Sequence, residues 1–199
     1  MGSPRLPGVL CLEGDWDVSP ESRLSVEPAL RLLERNEQIK LIRRGVSTRG
    51  ELEHHVDTWL SRGLKDYDFA FLGFHGSART LYLGDVELSL DDLADIIDGR
   101  GAGKVLYLAS CKVMAAEADV LQEFCARTGI KGLVGYTRNV NWIEAAAFEL
   151  LLVSTLTRSK GTRIKPAYDR IVRKYPDMST RLGLRMSHLT WTSDTLPRR

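Results

Sequence analysis

The sequence predicts an α/β fold with a mostly parallel central sheet and helices on both of its faces. Short apolar segments of strand length alternate with segments of helical periodicity, which is typical of strand–helix–strand units. The strand segments, such as 69–74 and 105–109, are apolar almost throughout, as expected for strands that are buried on both faces. Right-handed crossovers between parallel strands then leave few possible topologies.

Local patterns predict the individual elements of this fold. The expected strands are 8–12, 39–43, 67–74, 104–110 and 131–136. The expected helices are 28–36, 48–62, 89–98, 115–128 and 141–156. Thr48 with Glu51 forms a capping box, Ser89 is a typical N-cap, and glycines follow several of the helices. Between the third and fourth strands, Gly84-Asp85 lies between alternating apolar residues and predicts a tight hairpin.

After residue 156 the regular alternation of strand and helix segments ends. Lys160-Gly161 has the composition of a joint, a helix is expected over 166–174, and a strand is expected around 182–186. A chain of 199 residues can bury one good core. We therefore predict a single domain over 1–199, with a core of about 7–156 and with 157–199 as its C-terminal extension.

The composition favours a soluble, cytoplasmic protein. Its net charge of +2 is too balanced to suggest nucleic-acid binding. Cys11, Cys111 and Cys125 show no metal-site spacing and are expected to be reduced. The N-terminus has no apolar signal segment, and the longest apolar run, 145–153, is too short to span a membrane and contains Glu149. The absence of a Walker loop, a G-x-G-x-x-G and a G-x-S-x-G motif argues against nucleotide binding and serine-hydrolase chemistry. No metal or organic cofactor is expected.

His75 and Cys111 stand at the carboxyl ends of the third and fourth predicted strands. Sites in open α/β sheets form at these ends, and neighbouring strands lie about 5 Å apart. Histidine and cysteine are often paired as base and nucleophile. Alone, the histidine could simply bond a loop and the cysteine could be a small core residue. Their position on successive strands favours a catalytic pair, and Asp15 and Trp16 after the first strand either line the same cleft or form a turn.

Two further features would complete such a site. Gly76 lets the backbone after the histidine approach a ligand closely, so the N–H groups of Gly76 and Cys111 are candidate oxyanion donors. A helix beginning near Ala115 would place its N-terminus close to Cys111 and favour the thiolate.

The segments around these strand ends resemble caspase-like cysteine peptidases of clan CD, above all the bacterial CHAT group. The resemblance is carried by Phe-Leu-Gly-Phe-His-Gly at 71–76 and Leu-Tyr-Leu-Ala-Ser-Cys at 106–111. The segment 135–148 also looks like the one that follows the CHAT catalytic-cysteine strand. The resemblance covers roughly 7–156. It implies a caspase-like three-layer sandwich with a mostly parallel central sheet, helices on both faces and a hairpin after the third strand.

Carried over to this sequence, the resemblance makes His75 the catalytic base and Cys111 the nucleophile, with Gly76 and Cys111 as backbone oxyanion donors. Ala109-Ser110 departs from the Gln-Ala-Cys pattern of caspases, so their aspartate selectivity is not implied. No acidic residue stands immediately before Cys111 either, so a pocket for basic side chains is not indicated there. Two arginines could face an acidic substrate residue. The possible substrate-pocket residues are Arg79, Ser110, Arg138 and Trp142.

We therefore predict a cysteine endopeptidase that cleaves a protein substrate under the control of a regulatory protein partner. The resemblance implies a role in bacterial antiviral defence or stress signalling. One alternative is a catalytically silent caspase-like module that binds other proteins. Another is a flavodoxin-like domain with a small ligand at the same strand ends, which the hairpin at Gly84-Asp85 disfavours. No cofactor, nucleic-acid or membrane partner is expected.

Overall fold

The computed structural model describes residues 6–17, 19, 21–158 and 163–195. In these ranges the chain forms ten strands and seven α-helices, besides a short 3-10 helix at Arg62–Leu64. The strands are β1 (Gly8–Glu13), β2 (Lys40–Gly45), β3 (Phe69–Gly73), β4 (His75–Ser77), β5 (Thr80–Leu83), β6 (Val86–Ser89), β7 (Val105–Ala109), β8 (Gly132–Tyr136), β9 (Leu184–His188) and β10 (Trp191–Thr192). The helices are α1 (Glu27–Arg35), α2 (Arg49–Leu60), α3 (Leu90–Ile97), α4 (Ala118–Thr128), α5 (Trp142–Thr157), α6 (Ile164–Lys174) and α7 (Pro176–Leu182). No helix in the described ranges is long and apolar enough to cross a membrane.

Seven strands form the central sheet, in the order β10-β9-β8-β7-β3-β1-β2. Five strands of this sheet run parallel to one another, namely β2, β1, β3, β7 and β8. Strand β9 pairs antiparallel with both β8 and β10. Antiparallel strands at the edge of a parallel sheet are common in α/β folds. The prediction of a mixed α/β fold with a mostly parallel sheet is confirmed.

Helices cover both faces of this sheet, and strand side chains alternate between two apolar clusters. In β3, Ala70 and Leu72 pack in the cluster that contains residues of α2, α3 and α4. Phe69 and Phe71 pack on the other face, with α1, α5 and α6. Because successive side chains of a strand point to opposite faces, a strand between two helical layers must be apolar throughout.

A second, three-stranded antiparallel sheet follows β3, in the order β4-β5-β6. The predicted hairpin is present, with β5 and β6 joined at Gly84-Asp85, where Gly84 has a φ of +57°. Ser89 then ends β6 and caps α3, its hydroxyl accepting the N–H of Asp92 at 3.0 Å. His75 opens this small sheet, so it belongs to a new element and not to the end of β3.

The pairing of β3 with β7 determines where His75 and Cys111 lie. The two strands are parallel neighbours, and Gly73 at the end of β3 is opposite Ala109 at the end of β7. His75 and Cys111 therefore each lie two residues beyond the last pair of the ladder. The expected adjacency of the third and fourth predicted strands is confirmed.

Two boundaries differ from the sequence-based predictions. The helix expected near Ala115 begins at Ala118, because residues 111–114 form turns whose backbone is bonded to the neighbouring strand end. The N-terminus of α4 therefore does not adjoin Cys111. The strand expected around 182–186 begins at Leu184, because α7 continues to Leu182 and ends at Gly183, whose φ is +67°. The predicted joint at Lys160-Gly161 lies outside the described residues.

Candidate active site

His75 and Cys111 line one cavity at the carboxyl ends of β3 and β7. Its volume is about 230 Å³, and its walls come from the loop after β1, the two strand ends and the start of α5. The residues that line it are Trp16, Val26, Phe74, His75, Ala109, Ser110, Cys111, Val140, Trp142, Ala145, Ala146 and Glu149. A mostly apolar cavity at this edge of an α/β sheet is a typical ligand site.

The half-buried Cys111 thiol lies against the chain that leads into α5. The backbone N–H of Val140 donates to Cys111 Sγ at 3.5 Å. The N–H of Cys111 itself donates no hydrogen bond to any residue in the described part of the chain. An unpaired backbone donor next to a nucleophile is what an oxyanion site requires.

The other two cysteines are not available for such chemistry. Cys11 and Cys125 are both buried in the core. Burial raises the pKa of the Cys125 thiol to about 12 and raises that of Cys11 well above its ordinary value. Because the thiolate is the reactive form, Cys111 is the candidate nucleophile among the three.

The exposed His75 ring is oriented by the loop after β1. Its Nε2 lies 3.0 Å from the carbonyl oxygen of Trp16. A carbonyl oxygen can only accept, so this contact assigns the proton of the neutral ring to Nε2 and leaves Nδ1 as the basic nitrogen. The Trp16 ring also packs edge-on against His75, at a centroid distance of 5.4 Å. Trp16 therefore lines the cleft, which was one of the two alternatives for this residue.

Gly76 allows β4 to approach the segment that carries the nucleophile. A Cβ at this position would lie 2.7 Å from Val113 Cγ2 and 3.0 Å from both Ser110 Cβ and the carbonyl oxygen of Thr80. Real Cβ atoms do not come so close to these groups, so the close approach requires glycine.

The loop after Cys111 is supported by the C-terminal part of the sheet. Arg185 on β9 is buried, and its Nη1 donates to the carbonyl oxygens of Met114, at 3.1 Å, and of Ala116. Its Nε donates to the carbonyl oxygen of Ser193 at 3.3 Å, and burial lowers the pKa of its guanidinium. Sequence analysis missed Arg185 because a lone arginine in a strand carries no local signal of its long-range partners.

The structure brings two of the four predicted pocket residues to the cavity. Ser110 and Trp142 line it, and the buried Ser110 Oγ has no hydrogen-bond partner in the described part of the chain. Arg79 is instead exposed at the turn between β4 and β5. Arg138 does not line the cavity, and its guanidinium donates to the carbonyl oxygen of Thr180. The two arginines are therefore not placed to meet a side chain bound in this cavity.

Glu149 is a functional candidate that sequence analysis did not identify. It is 5% exposed, lines the cavity, and its Oε1 accepts hydrogen bonds from the hydroxyls of Tyr107 at 3.0 Å and Tyr136 at 3.4 Å. Burial raises the pKa of Glu149 to about 7, although both hydroxyl contacts act in the opposite direction. The available signal was an acid inside an apolar helix, seven positions after Trp142 and so on the same helical face.

Glu13, at the end of β1, holds two of the cavity walls in place. It is 1% exposed, and its carboxylate accepts from the indole Nε1 of Trp16 at 2.7 Å and from the backbone N–H of Val26 at 2.6 Å. Arg43 on β2 balances its charge, with Nη2 at 3.0 Å. A buried carboxylate is tolerated when it is paired and hydrogen-bonded in this way.

No group of three or more His, Cys, Asp or Glu side chains in the described ranges is arranged to hold a metal ion. The neighbouring His54 and His55 lie on α2, with ring centroids 5.2 Å apart, and neither lines the cavity.

Comparison with known proteins corrects the family assignment. No curated protein matches the chain, and no caspase-like or CHAT family model matches it. The assignment to caspase-like CHAT peptidases is therefore wrong, since a His-Gly pair and a cysteine at strand ends are short signals that unrelated α/β proteins can share. A family model described as a family of unknown function, DUF6642, matches residues 7–188. This match covers most of the sequence, and the chain belongs to the DUF6642 family.

Proposed function

We propose that this protein is a thiol peptidase in which Cys111 is the nucleophile and His75 the general base. One observation carries the proposal: both residues line the same cavity, each two positions beyond the last pair of two neighbouring parallel strands. The proposal rests on this geometry and not on the overturned family resemblance. We do not extend it to bacterial defence, which rested on that resemblance alone.

In the proposed reaction, His75 Nδ1 accepts the thiol proton and Cys111 Sγ attacks the carbonyl carbon of a peptide bond. The C–N bond then breaks as the imidazolium returns a proton to the leaving amine, and the acyl group remains on sulfur as a thioester. Water, deprotonated by the same nitrogen, attacks the thioester and releases the carboxylic acid product. The thiol regains its proton and the cycle closes.

Two neighbouring backbone groups support this assignment. The Trp16 carbonyl accepts from Nε2 of His75 and would stabilise the imidazolium that forms during attack. The N–H of Cys111, which has no acceptor among the described residues, is available to the oxyanion of the tetrahedral intermediate. Gly76 remains the candidate for the second donor, on a strand that is paired on one side only.

A polypeptide is the substrate class that the surroundings of His75 favour. Beyond the cavity, an open groove of about 950 Å³ extends past Trp16 and His75 to Gly84 and Asp85 in the hairpin. The cavity can hold one side chain while the groove holds the rest of an extended chain. Control by a protein partner is part of the same proposal, because a peptidase with an open groove must be restrained in the cell.

The test is cleavage of a peptide library derived from whole-cell protein, with new N-termini identified by mass spectrometry. We expect wild type to generate a reproducible set of new termini. We expect Cys111→Ala and His75→Ala each to lower the rate by at least about a thousandfold, since the members of a catalytic unit fail together. Cys125→Ala is the matched control and should keep the activity. Equal activity in wild type and Cys111→Ala would exclude the proposal.

The second candidate function is a catalytically silent module that binds other proteins. It is favoured by the hydrogen bonds themselves, because Cys111 Sγ accepts from Val140 and His75 is bonded to Trp16. Catalytic hydrogen bonds are often formed only once a substrate is bound, so these contacts do not decide between the two functions. A peptide chloromethyl ketone that alkylates Cys111 no faster than it alkylates free cysteine would favour the silent module.

A further inference from the structure

The cavity beside Cys111 has an acidic inner end. Trp142, Ala145, Ala146 and Glu149 lie on one face of α5 and form one side of the cavity. Trp142 at one end of this face is half-buried, whereas Glu149 at the other end is 5% exposed. Glu149 follows Trp142 by seven positions, an advance of about 10 Å along the helix axis. Glu149 and Cys111 thus line the same cavity, with Glu149 at its more buried end.

One oxygen of this carboxyl group is left for a ligand. Both tyrosine hydroxyls, from Tyr107 and Tyr136, bond Oε1, and no residue in the described ranges donates to Oε2. Among the residues that the structure describes, no lysine or arginine lines the cavity. Burying a carboxylate without a counter-charge costs free energy. A cation that enters the cavity would supply this counter-charge, so its binding would be favoured.

We infer that the cavity binds a lysine or arginine side chain of the substrate, immediately before the bond that is cleaved, with Glu149 as the residue that determines this specificity. The inference rests on the proposed peptidase function and adds the substrate class. The apolar walls suit the methylene stem of a basic side chain. The indole rings of Trp16 and Trp142 pack edge-on against each other, with centroids 4.6 Å apart, and both line the cavity, where an aromatic surface favours a cation. A volume of about 230 Å³ is sufficient for either side chain.

An apolar side chain of similar length is the rival occupant. It would contact the same apolar walls but would leave the carboxyl group of Glu149 without a hydrogen-bonding or charged partner. It would therefore be accepted only while Glu149 is protonated. Lysine and norleucine therefore separate the two possibilities, because norleucine keeps the stem and lacks the ammonium group.

The experiment compares three peptide chloromethyl ketones with identical leading residues and lysine, arginine or norleucine next to the reactive group. Alkylation forms a bond between Sγ and the methylene carbon, expels chloride, and passes the thiol proton through His75 to solvent. Rates are followed by intact mass, and the site is located by peptide mapping. We expect the basic probes to alkylate Cys111 at least about tenfold faster than the norleucine probe, as for a charge-assisted contact.

Two further measurements assign the selectivity to Glu149. In Glu149→Gln the ratio of lysine to norleucine rates should fall to near one, whereas Glu144→Gln, on the same helix but paired with Arg181 at 2.9 Å, should keep the wild-type ratio. In wild type the ratio should rise about tenfold from pH 6 to pH 8, as the carboxyl group ionises. Any pH dependence of the alkylation step itself is common to both probes and cancels in the ratio. Tyr107, Tyr136, Glu13 and Cys11 are titratable groups near this carboxyl group.

The outcomes distinguish this inference from the function on which it rests. Equal rates for the lysine and norleucine probes, or a faster norleucine probe, would overturn the inference and leave the peptidase intact. A ratio in wild type that does not change with pH would also overturn it, even if the glutamine variant fails to fold. If no probe alkylates Cys111 faster than free cysteine, the peptidase function fails, and the inference fails with it.

Discussion

The candidate site depends on the absence of a Cβ atom at Gly76. The backbone at this position lies against Val113 and Ser110, next to the nucleophile. In Gly76→Ala the new methyl group must displace these neighbours, and we expect a loss of about 1–3 kcal/mol in the free energy of unfolding. We also expect the peptidase rate to fall further than the fraction of folded protein does, because the displaced segment carries Cys111.

Gly50→Ala is the matched control for that substitution. Gly50 lies near the start of α2, and a Cβ there would meet no atom within 4 Å. Alanine is the better helix former, so this variant should gain about 0.5–1 kcal/mol and keep its activity. Urea unfolding together with peptide cleavage measures both effects. Equal losses in the two variants would show that packing around Gly76 is not critical.

At the scale of elements, α5 provides one wall of the cavity and begins at the residues that contact the nucleophile. Its N-cap is Asn141, whose Oδ1 accepts from the N–H groups of Ile143 and Glu144 at 3.1 and 3.2 Å. Val140, the residue just before, donates to Cys111. The start of this helix therefore influences both stability and the position of the nucleophile.

We expect Asn141→Ala to lower the free energy of unfolding by about 1 kcal/mol, because two N–H groups of the first turn lose their acceptor. The rate of peptide cleavage should fall as well, since the wall at Trp142 loosens. Thr48→Ala removes the cap of α2, in which no residue lines the cavity. Thr48→Ala should lower the free energy of unfolding by a similar amount and leave the cleavage rate of the folded protein unchanged. If the cleavage rate falls equally in both variants, the α5 cap has no special role in catalysis.

For the molecule as a whole, the buried acid links stability to pH. The pKa of Glu149 is raised to about 7 by burial, from an ordinary value of 4.5. Between these pH values the folded state binds more protons than the unfolded state. The free energy of unfolding therefore falls as pH rises through this window, by roughly 3 kcal/mol in total.

Urea unfolding of wild type and Glu149→Gln at pH 5 and at pH 7.5 tests this linkage. Wild type should lose stability relative to the variant between the two pH values, since glutamine does not titrate. Backbone hydrogen bonds lower the pKa of Glu51, so its contribution is lost at more acidic pH and is common to both proteins. A difference that does not change with pH would mean that Glu149 is charged in the folded state across the whole window.

Much of the fold was predictable because its signals are local. The apolar strands, the capping box at Thr48, the N-cap at Ser89 and the hairpin at Gly84-Asp85 are each determined by neighbouring residues, and all were found where expected. The boundary at Ala115 was wrong because long-range hydrogen bonds hold residues 111–114 in turns, and these leave no local trace in the sequence.

By itself the sequence determined that His75 and Cys111 follow two buried strands, because apolar patterning and chain order are local properties. Only the tertiary structure decided which residues surround them. The parallel register of β3 and β7 aligned the pair, and the packing of α5 brought Glu149 into the cavity while leaving Arg79 and Arg138 outside it. The physical reason is that burial, and with it the raised pKa of Glu149, depends on contacts between segments far apart in the chain.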